Sequence, residues 1–395
     1  MQESIKIING RLITPFRVVA PGSLLIRDGK IVAAGEATIT AQADRTIDAG
    51  GNYVAPGFMD LHIHGGGGSD FMDGTVQAFH TITETHARYG TTAMVPTTLT
   101  AEKEHLLHTL DIYREAVTKP HQGAGFLGMH LEGPYFALNQ RGAQDPRYIR
   151  NPDPAEYRQI LDYSSDIVRW SVAPELPGAL EMGNYLRSKG ILPAIAHTDA
   201  VYDDVVKALD CGYTLATHFY SAMSGVTRRN LYRHAGVIES VYLLDEIDAE
   251  VIADGAHLPA PLLQLIYKIK GPDRIALITD AMRAAGMPPG KSILGPLNGG
   301  LEVIVEDGVA KLPDGSGFAG SVATADRLLR NMVKLAGVPL PEAVRMASYT
   351  PARIMGVAGR KGSLVAGKDA DVVIFDEDIN IHFTIVEGKV VYGSR

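Results

Sequence analysis

The sequence predicts an α/β chain: a (β/α)8 barrel of the TIM type, with a small β-sandwich built from both chain ends. Eight short apolar runs mark its middle: FMDLHIH, TTAMVPTT, FLGMHLEG, IVRWSVAP, ILPAIAHT, TLATHFY, EVIADGAH and RIALITDA. Helix-like apolar spacing fills intervals such as Thr75 to Tyr89, Glu102 to Val117, Leu180 to Lys189, Asp203 to Asp210 and Pro259 to Ile269. Repeated strand–helix units with near-continuous apolar strands imply a parallel sheet, and eight of them imply closure into a barrel.

The ends read differently. Residues 1 to about 55 hold SIKIING, SLLIRDGKIVAAG and TIDAGGNYVAPG, alternating strands with a hairpin signal at Asp28-Gly29. In the tail, Asp371 to Phe375 and His382 to Val386 read as strands, with a turn at Glu387-Gly388-Lys389. Chain termini commonly lie close together, so the two ends are expected to share one sandwich. The expected division is 1–55 and 359–395 for the sandwich and 56–358 for the barrel.

A chain of 395 residues exceeds the usual single domain, which fits one large unit and a smaller one. A composition 46% hydrophobic and 21% charged is globular, and 42 glycines with 22 prolines imply many tight connections. With 37 basic and 45 acidic side chains the net charge is −8, which gives no general attraction for nucleic acid or acidic lipid. An anionic substrate therefore needs a local positive pocket. The lone cysteine, Cys211, has no partner for an internal disulfide and reads as a small buried residue. MQESIKIING lacks a basic stretch followed by an apolar run, and no apolar segment is long enough to span a bilayer, so a cytoplasmic enzyme is expected.

The first barrel strand ends in His62-Ile63-His64. Period-two alternation sends both imidazoles to one side, where a single metal ion can take them. Such a pair alone is as readily explained by two ordinary hydrogen-bonded histidines. Four more candidates give it weight: Glu132, His197, His218 and Asp280, each near the end of another apolar run. In a (β/α)8 barrel the strand C-termini share one mouth, so all six side chains converge there. Nitrogen and carboxylate donors suit zinc, iron or manganese better than calcium. A doubly wound sheet fits less well, because Gly65 to Gly68 does not supply the G-x-G-x-x-G turn of a dinucleotide site.

The segments APGFMDLHIHGGGG, GTTAMVPT, HLEGPYF, AHTDA, THFYSAM, ADGAHL, TDAMRAAGMPPGKSILG and ASYTPARIMGVAGRKGSLVAGKDADVVIFD carry a resemblance over nearly the full length. On them the chain resembles the amidohydrolase superfamily and, within it, the N-acetylglucosamine-6-phosphate deacetylases. HLEGPYF discriminates most, since many members of the superfamily place a carboxylated lysine where Glu132 stands. The resemblance implies that Glu132, His197 and His218 hold the principal divalent metal and that His62 and His64 serve a second. One or two ions per subunit, zinc or iron, are implied.

It further implies Asp280 as general base and acid, and His257 as a substrate contact. Ala143 and the loop Phe318-Ala319-Gly320 are expected to line a sugar pocket, with the backbone amides of Ser221 and Ala222 on a phosphate. Relatives place an arginine just after the strand-six histidine motif, in some cases supplied by a neighbouring subunit. Here the loop Ser224 to His234 offers Arg228, Arg229 and Arg233, with Arg228 favoured. Gln144 stands where relatives commonly have histidine, and Ser221 where they have asparagine, which alters phosphate or sugar contacts. A homodimer is implied by the resemblance alone.

The implied reaction is metal-dependent hydrolysis of the N-acetyl group of an amino-sugar 6-phosphate. Another amidohydrolase, such as an N-acyl-amino-acid deacylase, a cyclic amidase or the galacto counterpart, is the alternative, followed by a non-catalytic member. His130 reads as a residue behind the site, and Trp170 as core. His80, His86, His105, His108, His121, His234 and His382 read as surface.

Overall fold

A computed structural model describes residues 2–36 and 39–393. Eight parallel strands follow one another around the barrel: Phe58–Ile63, Thr91–Thr98, Met129–Glu132, Ile167–Val172, Leu192–Ile195, Leu215–Ala216, Asp248–Val251 and Ile275–Leu277. They coincide with the eight apolar runs. Every residue of the first two is buried, so neither shows the apolar–polar alternation of a strand with one wet face. The ring closes where Asp280 N donates to His62 O at 2.9 Å and Ile63 bridges Ala281 in parallel.

Helices Val76–Ala87, Lys103–Thr118, Ala179–Ser188, Tyr202–Asp210 and Ala260–Lys270 match the five expected segments closely. Pro154–Tyr163 lies outside them, although its start is written plainly: Asp153 caps Ala155 N at 2.9 Å and Pro154 takes the first turn.

The two chain ends join in one eight-stranded sheet, through antiparallel pairing of Tyr53–Pro56 with Val372–Phe375. Its inward side chains, among them Ile5, Leu24, Val54, Val372 and Ile385, form a core of their own. Lys361 lies beside this sheet with only 2% of its side chain exposed. Its Nζ is 2.7 Å from Asp371, 3.0 Å from Asp369 and 3.1 Å from Glu387. Burial opposes the charge of Lys361, yet the neighbouring carboxylates, Asp371 foremost, raise its pKa above the ordinary value. Asp369 also pairs with Lys30 and Arg360, so Lys361→Met should leave Asp371 as the buried carboxylate without a counter-charge and cost about 3–5 kcal/mol. Urea unfolding of the variant measures this, and an unchanged midpoint would show the cluster to be idle.

Four expectations are corrected here. After the eighth barrel strand the chain makes a four-stranded antiparallel sheet, Gly290–Leu294, Leu301–Glu306, Val309–Lys311 and Phe318–Ser321, so Phe318 to Gly320 sit in a strand and not in a loop. The expected basic loop contains a hairpin, Thr227–Arg229 with Tyr232–His234. His86 and His80 are buried, not superficial, because they lie on the inner side of Val76–Ala87. His86 Nε2 meets Gly65 O at 3.0 Å, and burial lowers its pKa to about 4. Cys211 is half-buried, whereas Trp170 is core as expected, stacked on Tyr135 at 5.7 Å. No described helix is long and apolar enough to cross a membrane.

Candidate active site

A cavity of about 380 Å³ lies at the C-terminal ends of the barrel strands. Its floor is set by how the strands end. Glu132 closes the third strand, and Gly133 then turns the chain with a φ of 92°, where a Cβ would lie 2.4 Å from Thr100 Oγ1. His197, His218 and Asp280 follow the fifth, sixth and eighth strands with φ of 46°, 31° and 47°. Such left-handed backbone costs a non-glycine residue about 1–3 kcal/mol and persists where surrounding structure imposes it. All three line the cavity.

Glu132 is the hub. Its Oε1 is 3.2 Å from His197 Nε2 and 3.0 Å from His218 Nε2, and those nitrogens are 3.1 Å apart. Its Oε2 is 3.3 Å from His64 Nε2, which lies 3.2 Å from His62 Nε2. Asp280 Oδ1 sits 3.4 Å and 3.3 Å from the ring nitrogens of His62 and His64. Two overlapping groups able to hold a cation result, Glu132/His197/His218 and His62/His64/Glu132.

The spacing tests the fit. Ligand atoms about 2.1 Å from a tetrahedral ion stand roughly 3.4 Å from one another, close to the separations here. Electrostatics agrees. Burial alone would depress the His62 imidazole, but Glu132 and Asp280 raise it to about 9. His64 is likewise opposed by burial and raised to about 10 by its bonds to Asp280 and Glu132. Burial resists the charge on Glu132, yet His62 and the other histidines hold its carboxyl well below the ordinary range. The cluster thus calls for positive charge, and its donor set suits a divalent cation.

Around this floor, Ala143, Gln144, Ser221, Ala222, His257, Phe318 and Gly320 line the cavity. His257 Nδ1 bonds Asp254 Oδ2 at 2.8 Å, and its ring lies 4.7 Å from that of Phe318. Gln144 is more internal than its expected substrate role implies: Nε2 donates to Glu132 Oε2 at 2.7 Å and Oε1 accepts from Thr100 N at 2.8 Å. Ala319 does not line the cavity. Strand alternation turns it into a small core with Met282 and Leu294.

Arg228 and Arg233 are exposed, face each other across the hairpin and stand outside the cavity lining. The side chain of Arg229 lies outside the described residues. Among the described lining residues there is neither lysine nor arginine. His130 is buried behind the cluster, bonded to Thr97 Oγ1 at 3.2 Å and Ser171 Oγ at 2.7 Å, as expected. Lining residues that the sequence does not suggest include Leu99, Asn139, Gln140 and Leu294. Gln140 is signalled only by its place in the loop after Glu132, and its carbonyl meets His197 Nδ1 at 2.7 Å.

Comparison with known proteins agrees with this architecture. The model of the amidohydrolase family matches residues 53–391. An N-acetylglucosamine-6-phosphate deacetylase of Lysinibacillus sphaericus is 35% identical over 366 residues, 92% of this chain and 92% of that protein. An N-acetylgalactosamine-6-phosphate deacetylase of Escherichia coli O157:H7 is 34% identical, over 96% of this chain and 97% of that one. A solved variant of the N-acetyl-D-glucosamine-6-phosphate deacetylase of Mycobacterium smegmatis, in complex with N-acetyl-D-glucosamine-6-phosphate, superposes with a TM-score of 0.88. That structure is 33% identical and covers 99% of each chain. The chain therefore belongs to the amidohydrolase family and, within it, to the group of N-acetylglucosamine-6-phosphate deacetylases.

Proposed function

We propose that this protein hydrolyses N-acetylglucosamine 6-phosphate to glucosamine 6-phosphate and acetate. The observation that carries the reading is the cluster of Glu132, His62, His64, His197, His218 and Asp280 at the floor of one cavity, in a chain whose relatives bear that deacetylase name. Glu132, His197 and His218 would hold a principal cation, zinc or iron, and His62 and His64 with Glu132 a second. A divalent cation bound there supplies Lewis acidity, which polarises an amide carbonyl and acidifies a nearby water.

The chain's own side chains do the rest. Although burial opposes it, the histidines, His62 foremost, hold the Asp280 carboxyl below the ordinary range, so it is ionised at neutral pH. It takes a proton from water as the water oxygen attacks the acetyl carbon, then gives that proton to the amine nitrogen as the C–N bond breaks. Asp254 holds His257 in orientation through Nδ1, leaving Nε2 for the substrate. Ala143, Gln144, Phe318 and Gly320 shape the sugar's space, with Ala319 supporting the latter two from below.

A phosphate needs cationic partners that this cavity's own lining lacks. We assign that task to the arginine hairpin, with Ser221 and Ala222 amides completing the contact. Because Arg228 and Arg233 stand exposed away from their own cavity, a homodimer that exchanges these hairpins fits the arrangement. Arg228→Ala should raise KM for the phosphorylated substrate about 10- to 100-fold, the worth of a charge-assisted contact of roughly 1.5–3 kcal/mol. It should barely affect the dephosphorylated analogue, and equal effects on both would move phosphate recognition elsewhere. A phosphorylated sugar does not cross membranes freely, which favours a cytoplasmic location.

The deciding assay is acetate release by cation-reconstituted enzyme from N-acetylglucosamine 6-phosphate. The galacto isomer, unphosphorylated N-acetylglucosamine and an N-acetyl amino acid are run beside it. Preference for the gluco phosphate supports the proposal, and turnover of the amino acid alone overturns it.

A further inference from the structure

We infer that Arg169 and Glu250 form a positioning pair that fixes the imidazole of His62 for cation binding. The inference rests on the cation site proposed above and deepens it. Both residues are fully enclosed, Arg169 on the fourth barrel strand and Glu250 on the seventh. The guanidinium grips the carboxylate through both Nη atoms, with Nη2 at 2.8 Å from Oε2. Arg169 also donates to Leu61 O at 3.1 Å and to Thr217 Oγ1 at 2.8 Å, the residues just before His62 and His218. Glu250 Oε2 lies 3.5 Å from His62 Nδ1 and accepts the backbone N–H of His218 at 3.4 Å.

Barrel interiors of this kind are ordinarily filled by layers of branched apolar side chains. Burying two opposite charges there carries a desolvation cost that their attraction rarely exceeds, and apolar replacements of similar volume are often at least as stable. Stability therefore does not account for the pair. Its placement against His62 does. An imidazole that binds a cation through Nε2 carries its proton on Nδ1, and that N–H needs an acceptor held in place. Among the described residues His62 Nδ1 makes no hydrogen bond, and the carboxylate facing it, at 3.5 Å, is Glu250. Arg169 holds that carboxylate through both of its oxygens and so fixes its orientation.

The test strips the protein of cations with a chelator and titrates Co2+ alone, reading stoichiometry, affinity and the visible band of the bound ion. In Arg169→Met/Glu250→Leu the stripped protein should melt as the parent does. Co2+ affinity should fall about 10- to 100-fold and the band should change. Glu250→Gln, which keeps an acceptor oxygen, should lose less. Unchanged affinity and band in the double variant overturn the inference, whereas a parent protein that binds no Co2+ overturns the cation site itself. Should the double variant fail to fold, 15N spectra of histidine-labelled parent protein with Zn2+ decide the matter. A proton on His62 Nδ1 supports the pair's role, and a proton on Nε2 overturns it.

Discussion

Replacing Asp280 by asparagine is expected to lower kcat by about 10²- to 10⁴-fold while the protein still binds its cation. Asparagine keeps the size and one carbonyl oxygen of the side chain but cannot accept the proton of an attacking water at neutral pH. The fold should tolerate the change, because the backbone here is pinned from both sides. Asp280 N donates to His62 O at 2.9 Å, and Ser321 N donates to Asp280 O at 2.8 Å. Steady-state kinetics with metal analysis separates the two effects. A near-normal kcat would remove Asp280 from proton transfer, and loss of metal would show that it acts as a ligand instead.

Glu132→Ala should be at least as damaging by a different route. Its two oxygens serve both groups of histidines, so one truncation opens both. Cation content should fall toward none, and kcat should drop roughly 10³-fold or more, matching several kcal/mol of lost Lewis-acid assistance. Chelation of the parent enzyme should mimic the variant, with one difference. Adding cation back restores the parent and leaves the variant inactive. A variant that still binds a full complement of cation would sink the assignment of Glu132 as the shared ligand.

Much of this arrangement is legible in the amino-acid sequence. Barrel strands are buried on both faces, so they appear as apolar runs, and a candidate site residue shows as the polar residue that interrupts the run's end. His62, His64, Glu132, His197, His218 and Asp280 all announce themselves in this way. What the sequence hides depends on contacts between distant segments. Gln144 reads as a pocket residue, and only the folded chain shows its amide spanning Glu132 and the Thr100 backbone. Arg169 stands in the middle of IVRWSVAP, a charge inside an apolar strand, yet its partner lies on another strand. The extra sheet carries its own signal, LEVIVEDGVAKL, with strand-like runs on either side of an Asp-Gly turn. The arginine hairpin carries almost none, because Leu231 and Tyr232 are exposed and leave no buried periodicity to detect.

The left-handed backbone at His197, His218 and Asp280 has an evolutionary side. Glycine at any of the three would relieve the strain, so the chemistry is retained against the grain of folding. A screen that scores only heat-resistant, soluble protein would reward losing these side chains, and a laboratory lineage selected that way should drift toward a sturdier, inert barrel.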